Sequence, residues 1–377
     1  MTQDVVIVGG GVIGSSIAFR LAQAGARVTV VERGSLGCES SRAGAGMLAP
    51  QTEAYGPGPF FDLCLDSFRL YRDFAHELSE LSGLDVEYRD EGTLRVFFDD
   101  DERRESEEWA GWQTSAGLAL EPLTRAALNA LEPAIRRDNV GGLYLPFEHQ
   151  VENRRVMEAL SVVLGRSGVR VVEGEEVREI LVDGERAAGV ETGRGRFAAG
   201  VVVVAAGSWS SRLLGRAGLD VTVVPVRGQM VAVKGPAAPI RHVIHSKECY
   251  LVPRLDGRIL IGATVEYEGY KKGNTPGGVA SLLTAGINLL PELESFEVVE
   301  MWSGLRPDTP DHLPVLGPTG VDNLLLATGH FRNGLLLAPR TAELISRYII
   351  DGSAAEDMEP FSLFRFAGER STESCAR

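Results

Sequence analysis

Three glycines, Gly9, Gly11 and Gly14, are spaced G-x-G-x-x-G between an apolar run and a segment of helical periodicity. Glycines at that spacing permit a tight turn, a close approach of backbone to a pyrophosphate, and contact between helix and strand. Amide groups at the start of the helix then face the phosphates. Glu32 ends a second apolar run eighteen residues after Gly14, where a carboxylate can accept hydrogen bonds from an adenosine ribose. By themselves the glycines could form an ordinary turn. With the flanking strands, the helix and the acid, they point to a dinucleotide site and leave FAD and NAD undivided.

Two further runs narrow that choice. Ser40-Ser41-Arg42-Ala43-Gly44-Ala45-Gly46-Met47 is a stretch of mostly small residues soon after the second apolar run. It suits backbone lying against a flat ring or a diphosphate, with a flexible glycine-rich loop as the bland alternative. Near the other end, Thr328-Gly329-His330-Phe331-Arg332-Asn333-Gly334 joins an apolar run to a long helical pattern. That junction puts a positive helix end where an isoalloxazine could lie, the alternative being a second phosphate-type loop. A nicotinamide-dependent dehydrogenase is disfavoured by the second glycine-rich run and by the long C-terminal return to the first unit.

The elements that position these residues are legible as periodicity. Val5 to Val8 and Arg27 to Val31 read as buried strands flanking a helix from Val12 to Ala24, a β-α-β unit. Helical patterns run from Phe60 to Ser82 and from Asp99 to Ala116, with a β-like stretch from Gly92 to Phe98 between them. Glu152-Asn153-Arg154 opens another helix. Val169 to Val172, alternating segments broken by turns at Asp183-Gly184 and Gly193 to Gly195, and the run Val201 to Val204 then return to the first sheet. From about Val221 to Leu305 alternation predicts an antiparallel sheet with one helix near Val279 to Leu290. Leu324 to Ala327 and a helix from Gly334 to Ile350 come back to the first unit. The expected fold class is α/β, with an α+β second unit: a Rossmann-like domain from 1–50, 140–220 and 306–352, and a substrate-binding or oligomerisation domain with a largely antiparallel sheet from 51–139 and 221–305. Residues 353–377, charged and serine-containing, are expected to be a weakly ordered tail.

Composition bounds the function. The 377 residues, 44% of them apolar, suffice for roughly two domains with a sizeable core. A formal charge of −14 gives no footprint for nucleic acid or for an anionic membrane surface. The opening residues carry no positive segment, and Val5 to Val8 is too short for a signal or a transmembrane span, so a cytoplasmic location is expected. Cys38, Cys64, Cys249 and Cys375 lie far apart with no C-x-x-C pair. They predict buried free thiols and no metal site.

Together these segments resemble the D-amino acid oxidase family of flavoproteins, most closely its glycine oxidase branch, which supplies the imine precursor for the thiazole of thiamine. The resemblance covers about residues 4 to 350. It rests on the fingerprint, Ser40 to Met47, Ala205-Ala206-Gly207-Ser208-Trp209, Cys249-Tyr250-Leu251-Val252-Pro253-Arg254, Gly304-Leu305-Arg306-Pro307, and Gly329-His330-Phe331-Arg332-Asn333-Gly334. It implies FAD held by Val12, Ile13, Glu32, Arg33, Ser40, Ser41, Ala45, Gly46 and Met47, by the backbone near Val177, and by the turn from His330 through Phe331, Arg332, Asn333, Gly334 and Leu335 to Leu336. Non-covalent attachment is implied too, because the related sarcosine oxidases tether FAD through a cysteine near the position of Leu305, and Cys249 is remote in sequence. A homo-oligomer, commonly a tetramer, is the family's habit.

The resemblance places substrate groups on Tyr250, Arg306 and Arg332. A planar guanidinium can hold an amino-acid carboxylate through two parallel hydrogen bonds, and Arg306 is the candidate. Pro307 disfavours α conformation at 306 and predicts extended backbone there. A surface arginine paired with Asp308 or Asp311 is the ordinary alternative. Tyr250 could donate to the carboxylate or shield the site, or be a half-buried core residue. Arg332 sits at a helix start, where a cation is disfavoured unless it serves something anionic nearby, such as substrate or flavin. His330 reads as structural. No acid-base residue stands out, and the implied chemistry is direct passage of the α-hydrogen to flavin N5 as hydride, with oxygen taking the electrons as peroxide and the imine hydrolysing to an oxo acid and ammonia. Sarcosine, small D-amino acids, a quinone acceptor, or a non-catalytic flavin subunit are the alternatives.

Overall fold

The computed structural model describes residues 4–54 and 56–366. The strand Asp4–Val8 is buried from Val5 onward because it lies mid-sheet with both faces covered. It pairs in parallel with Arg27–Val31 on one side and Val201–Val204 on the other. Leu324–Thr328 and Arg170–Val172 extend the sheet in parallel, and Val315–Pro318 closes one edge antiparallel. Alternate side chains face opposite ways. Val5 and Ile7 pack in one core with the helices Val12–Gln23 and Gly334–Asp351. Val6 and Val8 pack in another beneath a three-stranded antiparallel sheet, Val177–Asp183, Arg186–Thr192 and Gly195–Ala198.

The second sheet has eight strands in the order Glu297–Asp308, Val224–Lys234, Arg258–Gly262, Tyr250–Pro253, Val243–His245, Thr93–Phe97, Gly141–Leu145, Glu121–Leu123. It is antiparallel except where Val243–His245 lies parallel to Thr93–Phe97. Val231 and Val233 face the helix Pro276–Leu289 through Leu282, Ala285 and Leu289. Met230 and Ala232, one residue out of phase, face Ala45, Met47 and Tyr250. This period-2 alternation puts one face of the sheet in a core and the other against the loop that follows the fingerprint.

Three expectations about chain organisation change. Gly141–Leu145 belongs to the eight-stranded sheet, not to the first unit, since its register with Thr93–Phe97 completes that sheet. The helix Pro59–Ser82 packs with the first unit instead of the second: Leu63, Cys64, Tyr71, Phe74, Ala75 and Leu78 share a core with Val5 and Ile7. Its amphipathic face matches the helix Gly334–Asp351, and the Ser67 hydroxyl donates to the Leu336 carbonyl at 2.6 Å. The expected tail is ordered as far as residue 366, because the short helix Ala355–Met358 and the turns after it bury Met358 and Phe361 in that core. Positions 367–377 of that expectation, Cys375 included, lie outside the described residues. Of the thiols, Cys64 and Cys249 are buried as expected and Cys38 is exposed. No helix among the described residues is long and apolar enough to cross a membrane.

Candidate functional site

Gly9 adopts φ +104°, a conformation that favours glycine, and its amide donates to the Val31 carbonyl at 2.9 Å. A Cβ on Gly14 would strike the Gly9 carbonyl, so the helix Val12–Gln23 can start this close to the strand only with glycine there. The first turn of that helix carries no acid, and its N-cap is Gly11. Its positive end is therefore unopposed by a carboxylate and suits an anionic phosphate. Glu32 braces the turn: one carboxylate oxygen accepts from Gly10 N–H and the other from Gly34 N–H, each at 2.8 Å. Each oxygen retains acceptor capacity for a ribose hydroxyl. The Ser41 hydroxyl accepts from Val12 N–H at 2.9 Å, joining the second small-residue run to the first.

That second run is fixed from below. Gly46 has φ +76°, and a Cβ there would meet the Val151 carbonyl and the Arg254 guanidinium. Arg254, 4% exposed, donates to the Ala45 carbonyl at 2.8 Å and to the Val151 carbonyl at 2.9 Å, and pairs with Glu152 at 3.1 Å. It ends the run Cys249–Arg254, whose residue types alone assign it no task.

Arg306 lies in the edge strand Glu297–Asp308, extended as Pro307 required. Its side chain crosses the sheet over Gly228, where a Cβ would sit 2.5 Å from the guanidinium carbon. One Nη donates to the Thr264 carbonyl at 3.0 Å. The two proposed surface partners are occupied elsewhere: Asp308 by His312 at 2.7 Å, and Asp311 by Arg365 at 2.7 Å. No carboxylate of the described residues lies within ion-pair distance of Arg306. Tyr250 stands beside it, burial raising the phenol pKa while the Arg306 guanidinium opposes that rise.

Pro307 also ties in the third run, its carbonyl accepting from Phe331 N–H at 2.9 Å. Phe331 is held at φ +46°, strained for a non-glycine residue, and its ring stacks on His312. His330 is buried, donates or accepts at Thr341, and is pushed down to about 3 by burial, so it is neutral and structural. Arg332 pairs with Glu53 at 2.9 Å. Burial pushes the Glu53 carboxyl up, and Arg332, then Arg306, oppose this. The anion that Arg332 was expected to serve thus includes a protein carboxylate. His245, not anticipated from the sequence, faces the same space and is pushed down to about 4 by burial, aided by Arg95 and Arg332.

These three runs line one cavity of about 490 Å³, running from Gly9, Gly11 and Glu32 past Ala43 to Met47, and on to Arg306, Tyr250 and His330 to Leu335. Val12, Ile13, Arg33, Ser40, Ser41 and Val177 line it too. Leu336 does not; it is 1% exposed in the apolar core, a correction to the expected cofactor turn, because the helix has by then rotated it away. Sequence reasoning missed Met230, Gly228 and Ala263 on the sheet face, and Arg212 beside Trp209. Gly228 and Met230 lie in a strand whose alternation marks only core, Ala263 follows a strand, and Arg212 is an exposed residue of the helix Ser210–Arg216. The cavity fits FAD on its own evidence: a glycine-only turn and an acid-free helix end at one extremity, and a second helix start without an acid in its first turn, Gly334–Asp351, at the other.

Relatives agree with this geometry. A glycine oxidase from Geobacillus kaustophilus is 36% identical over 98% of this chain and 99% of its own, and the crystal structure of glycine oxidase from that organism superposes with a TM-score of 0.93 over 97% of this chain and 99% of that one. A bifunctional protein ThiO/ThiG from a Synechocystis species is 38% identical over 97% of this chain. The chain spans about half the length of the bifunctional relatives, 54% in that case. The model of the family described as FAD dependent oxidoreductase matches residues 4–348, and with a cavity built for that cofactor the chain belongs to this family of FAD-dependent oxidoreductases.

Proposed function

We propose that the protein oxidises glycine at its carbon–nitrogen bond, yielding the imine, with oxygen as the final electron acceptor. One observation carries this reading: Arg306 faces the cavity with no carboxylate partner among the described residues, beside the half-buried Tyr250 and in one cavity with the cofactor-loop residues. When bound, FAD supplies the two-electron acceptor for the α-hydrogen. Arg306 then holds the substrate carboxylate through charge-assisted hydrogen bonds, and Tyr250, kept protonated by its raised pKa, donates to the same group. Arg306 and Arg332 face the cavity, burial pushes the Glu53 carboxyl up against the pull of Arg332, and His245 is neutral, so the site is cationic and suits the ionised carboxylate of an amino acid. With the α-carbon fixed, proximity does most of the catalytic work and no acid-base residue is required.

Met230, Tyr250 and Gly262 line the cavity that Arg306 faces, and a small amino acid is the substrate proposed. The glycine oxidase relatives support the same choice. The imine hydrolyses to glyoxylate and ammonia or is handed to a second enzyme for thiazole synthesis, a reading favoured by the bifunctional relatives. The cofactor is held non-covalently, position 305 being Leu. The test is anaerobic mixing of the yellow protein with glycine, sarcosine, D-alanine and D-proline in turn, followed by air. Bleaching by glycine and recovery in air with peroxide formed are expected; bleaching only by another amine would replace the substrate, and no bleaching would overturn the reading.

A further inference from the structure

Between the strand Arg258–Gly262 and the helix Pro276–Leu289 the chain leaves the eight-stranded sheet and crosses to the nucleotide-binding unit. It is rooted at Glu266, whose backbone exchanges hydrogen bonds with Arg227 at 2.8 and 2.9 Å and whose carboxylate accepts from Gln229 at 2.6 Å. It is rooted again at Asn274, whose amide donates to the Trp302 carbonyl at 2.9 Å. Between these roots the segment is largely exposed, with Tyr267 65% exposed. Yet two of its side chains reach the other unit. Tyr270 donates to the Ser208 carbonyl at 2.7 Å, its ring lies 3.6 Å from the Arg212 guanidinium and 5.7 Å from the Trp209 ring. Lys272 pairs with Glu39 at 2.7 Å, and Glu39 pairs in turn with Arg33 at 2.5 Å. The Arg33 guanidinium in turn lies 3.5 Å over the Trp209 ring.

Arg33, Glu39, Trp209 and Arg212 all line the end of the cavity that holds Glu32 and Val177. None of the four has its position fixed by a core. Arg33 and Arg212 are exposed, and exposed arginines are otherwise free to sample many rotamers. We infer that the 264–275 segment is a clasp for the cofactor, in which Tyr270 and Lys272 are positioning residues that hold Arg212, Trp209, Glu39 and Arg33 as the wall of the adenosine end. Release of FAD then requires these cross-unit contacts to open. The clasp is separate from the substrate groups, and the inference rests on FAD as the cofactor, whichever amine is oxidised.

The experiment follows FAD release from purified holoenzyme by the rise in flavin fluorescence after dilution into flavin-free buffer, for the native chain, Tyr270→Ala, Tyr270→Phe and Lys272→Ala. Loss of the hydrogen bond and the ring stack in Tyr270→Ala is expected to speed release roughly tenfold. Tyr270→Phe keeps the ring and should recover part of that difference, which a general loss of folding would not reproduce. Because the Lys272–Glu39 pair is exposed, release from the native protein should quicken with added salt, and Lys272→Ala should be faster at low salt with that dependence reduced. With FAD saturating, the KM for the amine substrate should stay the same in all variants. Release within twofold of the native rate for both Tyr270→Ala and Lys272→Ala would overturn the inference. Should Tyr270→Ala fail to fold, Lys272→Ala, altered only at an exposed side chain, decides it alone.

Discussion

Gly228→Ala separates the cost to the fold from the cost to the site. An added Cβ would stand 2.5 Å from Cζ of Arg306, against about 3.4 Å for ordinary contact, so the guanidinium must move by roughly 1 Å. Arg306 is the far end of a flexible side chain, half-buried and bonded to the protein mainly through the Thr264 carbonyl. The move is therefore cheap for the fold. For a carboxylate held by two parallel hydrogen bonds it is expensive: a misplacement of about 1 Å costs on the order of a hundredfold in rate, or about 2.7 kcal/mol. Steady-state kinetics with glycine should show kcat/KM down by roughly a hundredfold, with both kcat and KM affected. The 450 nm flavin absorbance per protein and the thermal midpoint should change little. A kcat/KM within twofold of the native value, with flavin bound, would refute the placement of the substrate carboxylate on Arg306.

Arg306→Leu, which removes the charge without adding bulk against Gly228, should raise KM by orders of magnitude and leave FAD bound; an unchanged KM takes Arg306 out of the site. Glu32→Ala removes the acceptor for two backbone amides, so FAD affinity by equilibrium dialysis should fall by roughly tenfold or more, and full flavin occupancy after gel filtration would contradict Glu32's role. Glu148 is fully buried, accepts from the Thr52 amide and hydroxyl, and is pushed by burial from its ordinary 4.5 up to about 7. The folded chain then binds more protons than the unfolded one between those values, so stability falls as pH rises from about 4.5 to 7, by on the order of 3 kcal/mol. Urea unfolding across that range should show the fall, and Glu148→Gln should flatten it; an equal slope in the variant would reject the assignment.

The local signals were strong where chemistry demands a particular backbone. The fingerprint turn needs glycine at positive φ and at the helix contact, so Gly9 and Gly14 were readable from spacing. The parallel strands, buried on both faces, were readable as unbroken valine and leucine runs. Pro307 announced extended backbone at Arg306. The unit to which a helix belongs was not readable: Pro59–Ser82 has an amphipathic face, and amphipathicity says that a face is buried without saying against what. Position 336 illustrates a related limit, since a loop motif continues into a helix without marking where the side chains turn from cavity to core.

The sequence by itself determined a dinucleotide site and the two sheet types, because these follow from local geometry and periodicity, whereas the flavin and the carboxylate-binding residues were implied by the resemblance to the D-amino acid oxidase family. Only the tertiary structure decided that Arg306 lacks a carboxylate partner among the described residues while Arg332 has Glu53, that Gly228 makes room for the guanidinium, and that residues 264–275 cross to the nucleotide end. Each depends on which distant segments meet, 78 residues apart for Gly228 and Arg306. Ion pairing and steric room are properties of such meetings, set by packing across the whole chain, and no spacing along it encodes them.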